Sequence, residues 1–210
     1  MAAALLVAFG ALVVDFGNTV EFGGADLRNR VVGSRLLVSG HDPYHFKWRQ
    51  GMSERLLDPN GSPTNPITLT TATPALLTLQ APFAWIDYKI LRVGWLAAQW
   101  GLLLLALALF SRMAGTPAKA RAVWISGLLV TASPFWRLHV ERGQVIILFV
   151  FMLAAAAWVL HRHSRHSAAI AGVILGFTVA LRPPMIFILL PMAIFREWRL
   201  LKGAAAGAAA

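Results

Sequence analysis

Residues 93–110, VGWLAAQWGLLLLALALF, pass without a single charged side chain. A helix needs roughly 20 predominantly apolar residues to cross a bilayer, within a range of about 17–25. This stretch meets that requirement and reads as a membrane-spanning helix. Residues 143–160, GQVIILFVFMLAAAAWVL, read the same way. Around these two the rest of the chain falls into place. Residues 122–136, AVWISGLLVTASPFW, are a shorter span that runs into Ser133–Pro134. Residues 1–15 begin with MAAALLVAFGALVV, which no basic residue precedes and no small-x-small cleavage site follows, so they read as a first span rather than a secretion signal. Residues 168–181 and 183–195 are two apolar runs split by Arg182–Pro183–Pro184, where a helix ends or kinks. Six spans make a single transmembrane domain over residues 1–210, with a polar loop at 16–92.

The composition agrees. The chain is 58% hydrophobic and 13% charged, against about 45–50% and about 25% in ordinary soluble domains. Its net charge is +10, which in a soluble protein suggests nucleic acid. Here the charge flanks apolar runs, and no basic segment is interleaved with aromatics on a soluble face, so no nucleic-acid partner is expected. Absence of cysteine excludes disulfides, thiolate metal sites and a cysteine nucleophile.

The short loops set the orientation. Loop 111–121 carries Arg112, Lys119 and Arg121, loop 161–167 carries Arg162 and Arg165, and neither holds an acid. The segment REWRLLK, residues 196–202, is also basic. If the spans alternate, all three lie on one side, which the positive-inside rule makes cytoplasmic. Loop 16–92, the turn RLHVERGQ at 137–144 and the RPP junction then face outward. The expected location is the plasma (inner) membrane, multi-pass, with functional chemistry on the extracytoplasmic side. The tail KGAAAGAAA carries no chemistry, and the chain reads as the N-terminal part of a longer protein or a truncated product.

Within the outer loop, residues 27–39 read as a helix at the membrane surface, closed by Gly40. Residues 41–66 read as turns, rich in Pro, Gly, Asn and Asp. Residues 71–86, TATPALLTLQAPFAWI, are apolar but too punctuated by proline to span, and Trp85 and Tyr88 suit the headgroup level.

An acid soon after the first span, then LLVSGHDPY at 36–44, then Thr73–Pro74 and Ala81–Pro82 leading into the next span, resembles the start of the integral-membrane GT-C glycosyltransferases. Gly143–Gln144 opening a span, the run Gly172, Gly176, Ala180, Arg182–Pro183, and Leu189–Leu190–Pro191 are similar to glycosyltransferase family 87. That family contains polyprenyl-phosphate-mannose-dependent mannosyltransferases and related arabinofuranosyltransferases. The resemblance implies an all-α membrane protein, a polytopic helix bundle of the GT-C type whose large first extracytoplasmic loop contains interfacial helices. Such enzymes usually have about twice this length, so the chain corresponds to their first half. The implied activity is transfer of a sugar, mannose first among candidates, from a polyprenyl phosphate to a lipid or cell-envelope glycan, inverting at the anomeric carbon. The implied partners are that donor, a glycolipid or glycan acceptor and the bilayer.

The resemblance also implies a catalytic acid in the first outer loop. Asp26 is that acid, as general base toward the acceptor hydroxyl, unless it only caps the helix it precedes. Asp15, at the exit of the first span, is the rival base. Asp42 and Tyr44 lie in GHDPY, where Asp42 reads as turn former or acceptor-binding group and Tyr44 as sugar-stacking ring or interfacial anchor. His41 and His45 flank them, so a divalent metal is conceivable there, but no metal or other cofactor is expected. His161, His163 and His166 lie in a basic loop on the other side and read as topology determinants. Arg182, beside apolar spans, is suited to the donor's phosphate, because guanidinium binds phosphate through a two-pronged fork; the plainer reading is an interfacial arginine. His139 and Gln144 are expected to face the donor, with Glu141 and Arg142 beside them. A multi-pass lipid or small-molecule transporter built on the broken 168–195 hairpin is the alternative, and an inactive truncated remnant is a third reading.

Overall fold

The computed structural model describes residues 1–68 and 70–209. Among them the chain is all-helical: ten α-helices, short 3-10 turns and no strand beyond one isolated bridge, Ser62–Asn65. The α-helices are α1 (Ala2–Phe22), α2 (Ala25–Val38), α3 (Pro74–Gln80), α4 (Tyr88–Met113) and α5 (Pro117–Val130). They continue with α6 (Pro134–Arg142), α7 (Ile146–His161), α8 (Ser167–Leu181), α9 (Leu189–Ile194) and α10 (Trp198–Ala209). Two of them, α1 and α4, are long and apolar enough to cross a membrane, and α6 with α7 adds a third if the pair, bent by 110°, is one span. Apolar side chains on α1, among them Leu6, Phe9, Val13 and Val20, stand exposed, as a lipid-facing helix requires.

Local chemistry explains several boundaries. Thr73–Pro74 and Thr116–Pro117 start α3 and α5 in the same way. The threonine hydroxyl accepts from Leu76 N in one and Lys119 N in the other, and proline fills a first position that needs no N–H partner. Helix α2 forms where expected and closes at Ser39–Gly40, with the Ser39 and His41 amides returning to Arg35 O and Leu36 O.

The chain forms two compact units. The first comprises Met1–Val14, Ala97–Arg137 and Val145–Ala210. Its tightest packing joins α8 and α10. Gly172 and Gly176 of α8 lie against the backbone of Leu200, Gly203 and Ala204, while Gly203 and Gly207 of α10 lie against Ala169 and Val173. The two helices run parallel, because Ala169 pairs with Gly203 and Val173 with Gly207. Ala156, Ala171, Leu175 and Leu200 form the core beside this seam.

The second unit comprises Asp15–Leu96 and Leu138–Gln144. Helix α2 is its centre: Leu27, Arg30, Val31, Val32, Gly33, Ser34 and Leu36 are all buried. Leu77 of α3 packs against Gly33, and Leu56, Phe46 and Trp48 cover Val32 and Leu36. The turn-rich segment 41–66 thus serves as the lid of a small core.

Candidate active site

The second unit gathers most of the polar residues singled out by sequence. Its entrance is Gly23–Gly24, between α1 and α2. Gly24 is the N-cap of α2 in a left-handed conformation, φ 58°. A side chain there would be strained and would also overlap the Arg92 guanidinium. Tyr88 Oη donates to the carbonyls of both glycines, and Arg28 donates to Gly23 O at 3.2 Å. Arg92 Nε donates to Thr19 O, and its Nη2 reaches Asn18 O at 3.2 Å and Glu141 O at 3.4 Å. Carbonyls at the end of a helix carry partial negative charge and lack partners within it, so a guanidinium is well placed there.

Asp26 is therefore not the helix cap. It stands in the first turn of α2, partly exposed, and no hydrogen bond or salt bridge engages its carboxylate among the described residues. The N-terminal end of the helix favours its negative charge. Four residues on, at the spacing that returns to the same helix face, comes Arg30. Its guanidinium is buried, at 4% exposure, and donates from Nη2 to Gly143 O at 2.7 Å. It also lies over the Trp95 ring, 5.1 Å from the centroid. Burial lowers its pKa to about 10, with Asp26 acting in the opposite sense, so it stays charged at neutral pH. Arg30 Nε and Trp95 Nε1 are both buried donors with no acceptor among the described residues.

Gly143 itself ends α6. Its φ of 69° lets the chain reverse, with Gly143 N bonded to Val140 O and Gln144 N to His139 O. A side chain there would press on Leu27. The stretch 137–144 is thus the last turn of a helix and its cap. That cap brings His139 and Gln144 to the Arg30 side of α2. His139 is buried and hydrogen-bonded to the Gln144 side chain; burial pushes its imidazole down to about 4, with the Arg30 charge adding to the effect, so it is neutral at pH 7.

The other expected residues are placed differently. Asp42 Oδ1 accepts from Tyr44 N at 2.8 Å, and Oδ2 meets His45 Nδ1 at 2.7 Å. The His45 hydrogen bond, followed by the Tyr44 amide, holds the Asp42 carboxyl below its ordinary range. Tyr44 Oη donates to Ala72 O at 2.8 Å and ties the turn to the segment before α3. Both residues are engaged in the loop's own architecture. Asp15 is buried, at 2% exposure. Arg182 belongs to the first unit, where it caps α8 in an extended conformation before Pro183, with its side chain exposed. No group of three His, Asp or Glu among the described residues is arranged to hold a metal.

Sequence reasoning missed Arg30, Arg92 and Trp95. Arg30 carried a usable signal, its four-residue spacing from Asp26. Trp95 carried none within an apolar run.

No curated protein and no solved structure shows significant similarity to the chain. A family model does. It covers residues 71–210, which include His139, Gln144 and Arg182 but not Asp26, Asp42 or Tyr44. A match over most of the chain, on an all-helical protein with membrane-length apolar helices, is sufficient to establish descent: the protein belongs to glycosyltransferase family 87.

Proposed function

We propose that the protein is a multi-pass inner-membrane glycosyltransferase that takes a sugar, mannose first among candidates, from a polyprenyl phosphate. It delivers the sugar to a lipid or cell-envelope glycan at the extracytoplasmic face. The observation that carries this reading is the Asp26–Arg30 pair on one face of α2, joined to the His139–Gln144 turn by the bond from Arg30 to Gly143 O. A carboxylate free of internal bonds and a buried guanidinium with a spare donor lie one helical turn apart, close enough for the acid to act on the cation's charge.

Asp26 takes the proton from the acceptor hydroxyl as the hydroxyl oxygen attacks the anomeric carbon. The bond from that carbon to the phosphate oxygen breaks, and its electron pair leaves on the phosphate. A single displacement inverts the anomeric configuration. Negative charge grows on the departing phosphate, and donor groups fixed in a desolvated site stabilise it. Arg182 is the cation proposed to meet the lipid-borne phosphate. Neutral His139 and Gln144 are hydrogen-bonding groups for the donor, and Asp42 and Tyr44 shape the loop over the acceptor.

The test is transfer from radiolabelled polyprenyl-phosphate mannose, in membranes holding the protein or its Asp26→Asn variant at equal level. Removing a general base costs about 10²–10⁴-fold in rate, and that loss is the expected result. Full activity in the variant would assign Asp26 a merely structural role. Absence of transfer by the unaltered protein from mannose and arabinose donors alike would overturn the donor assignment.

A further inference from the structure

A cavity whose lining does not include Asp26 lies within the same unit. It measures about 310 Å³ and is lined by Arg35, Arg55, Pro59, Trp85, Ile86, Asp87 and Tyr88. That volume is at the lower end of small-ligand sites, which run from about 300 to 1,000 Å³.

Its charges do not cancel internally. Arg35 is fixed by two bonds, Nε to Ala84 O at 2.8 Å and Nη1 to Arg55 O at 3.2 Å, which leaves Nη2 unspent. The Arg55 guanidinium is exposed and has no partner among the described residues. The cavity's one carboxylate, Asp87, sets a single negative charge against the two guanidinium groups and leaves the lining at net +1. Asp87 Oδ1 accepts from Lys89 N at 2.9 Å and Ile90 N at 3.4 Å at the start of α4. Asp58 is paired with Arg28 at 3.0 Å. Burial and then the like charge of Arg55 lower the Arg35 pKa, while Asp58 and Asp87 act in the opposite sense, so Arg35 feels both the second guanidinium and the neighbouring acids.

The surroundings are apolar. Phe83, Trp85, Ile86 and Ile90 are exposed along the segment that enters α4, a helix of membrane-crossing length. Tryptophan and tyrosine at the mouth of such a helix mark the headgroup level. Cations there meet lipid phosphates.

We infer that this cavity binds the phosphate-bearing headgroup of a lipid, with the phosphate between Arg35 and Arg55 and the lipid's apolar body along Trp85, Ile86 and Ile90. Guanidinium supplies the two-pronged donor set that phosphate oxygens accept. The site holds whether or not the chain transfers a sugar. Two lipids share this chemistry, an anionic phospholipid of the bilayer and a phosphate-bearing lipid acceptor.

The experiment is native mass spectrometry of the purified protein in neutral detergent, titrated with short-chain phosphatidic acid or phosphatidylcholine. One tightly bound phosphatidic acid per chain is expected. Arg55→Gln should weaken it at least about tenfold, the scale of one charge-assisted hydrogen bond, and Arg55→Lys should restore part of the loss. The exposed, unpartnered Arg55 side chain makes these substitutions safe for the fold. Equal affinity in Arg55→Gln and the unaltered protein, or equal binding of phosphatidylcholine, overturns the proposal. Where binding falls, transfer kinetics separate the sources. A raised KM for the acceptor with an unchanged KM for the donor identifies the acceptor lipid. Unchanged transfer identifies a bilayer phospholipid.

Discussion

His139 shows how burial sets the chemistry of a single residue. The imidazole is enclosed by the end of α6 and the Arg30 side of α2, and its ordinary pKa of 6.5 falls to about 4. The unfolded chain protonates this group near 6.5, whereas the folded chain refuses the proton until about 4. Between those values the unfolded state binds a proton that the folded state does not, so stability falls as pH falls through the window. Above it the group contributes no pH dependence. The full loss is on the order of 3 kcal/mol. Thermal unfolding of the detergent-solubilised protein from pH 7.5 to pH 4 should show this decline, and His139→Gln should flatten it. Parallel declines in both would assign the acid sensitivity elsewhere. The sequence suggested a residue facing the donor, and it carried no sign that the imidazole would be buried and neutral. That property depends on Arg30, more than a hundred positions away in the chain, whose bond to Gly143 O brings the turn against α2. The sequence singled out Asp26 by its place after the first apolar stretch. Its exclusion from capping was not legible there, because Gly24 takes the N-cap only once Arg92 and Tyr88 have fixed the preceding turn.

At the scale of elements, the pair α8–α10 gives the low-complexity tail a packing role that its composition did not announce. KGAAAGAAA reads as low complexity because glycine and alanine offer little apolar surface and glycine is a poor helix former. In the fold the same smallness is what lets two backbones touch. Gly172 and Gly176 face Leu200 and Ala204, and Gly203 and Gly207 face Ala169 and Val173. This is the small-xxx-small geometry by which helices pack in membranes, where lipid competes for any ordinary apolar contact. Half of it, the spacing in α8, was visible in the sequence. The partner was not, because only tertiary contact stabilises a short Gly/Ala helix. One substitution made at two sites tests the account. An added methyl at Gly176 would overlap the Ala204 carbonyl, so Gly176→Ala should destabilise by about 1–3 kcal/mol, the usual cost of overpacking. Gly101, inside α4, has nothing within 4 Å of its missing methyl. Gly101→Ala should be neutral or stabilise by up to about 1 kcal/mol through helix propensity alone. Melting of both variants beside the unaltered protein gives the two signs, and a neutral Gly176→Ala would mean that the seam is looser than its geometry implies.

The direction of α8 and α10 also constrains the whole chain. Two parallel helices separated by one connection require that connection to return along their length. Residues 183–194 do this as a 3-10 turn followed by α9. At about 2.0 Å per residue in the turn and about 1.5 Å in the helix, they cover ~21 Å. The fifteen residues of α8 cover ~22 Å. The RPP junction therefore makes a helical hairpin whose second arm is as long as its first. The basic segments at 161–167 and 196–202 are then brought to the same end of α8, as the alternation read from charge requires. The remaining question is which side of the bilayer that end faces, and the absence of cysteine makes it directly measurable. Gln50, in the polar loop, and Ala118, in the basic connection after α4, are both exposed. In sealed right-side-out vesicles, Gln50→Cys should react with a membrane-impermeant maleimide. Ala118→Cys should react only after permeabilisation. The opposite labelling would place Asp26 and the His139–Gln144 turn on the cytoplasmic side and overturn the proposed extracytoplasmic transfer. Labelling of both before permeabilisation would mean that α4 does not cross, and the length and apolarity of 93–110 would then need another explanation.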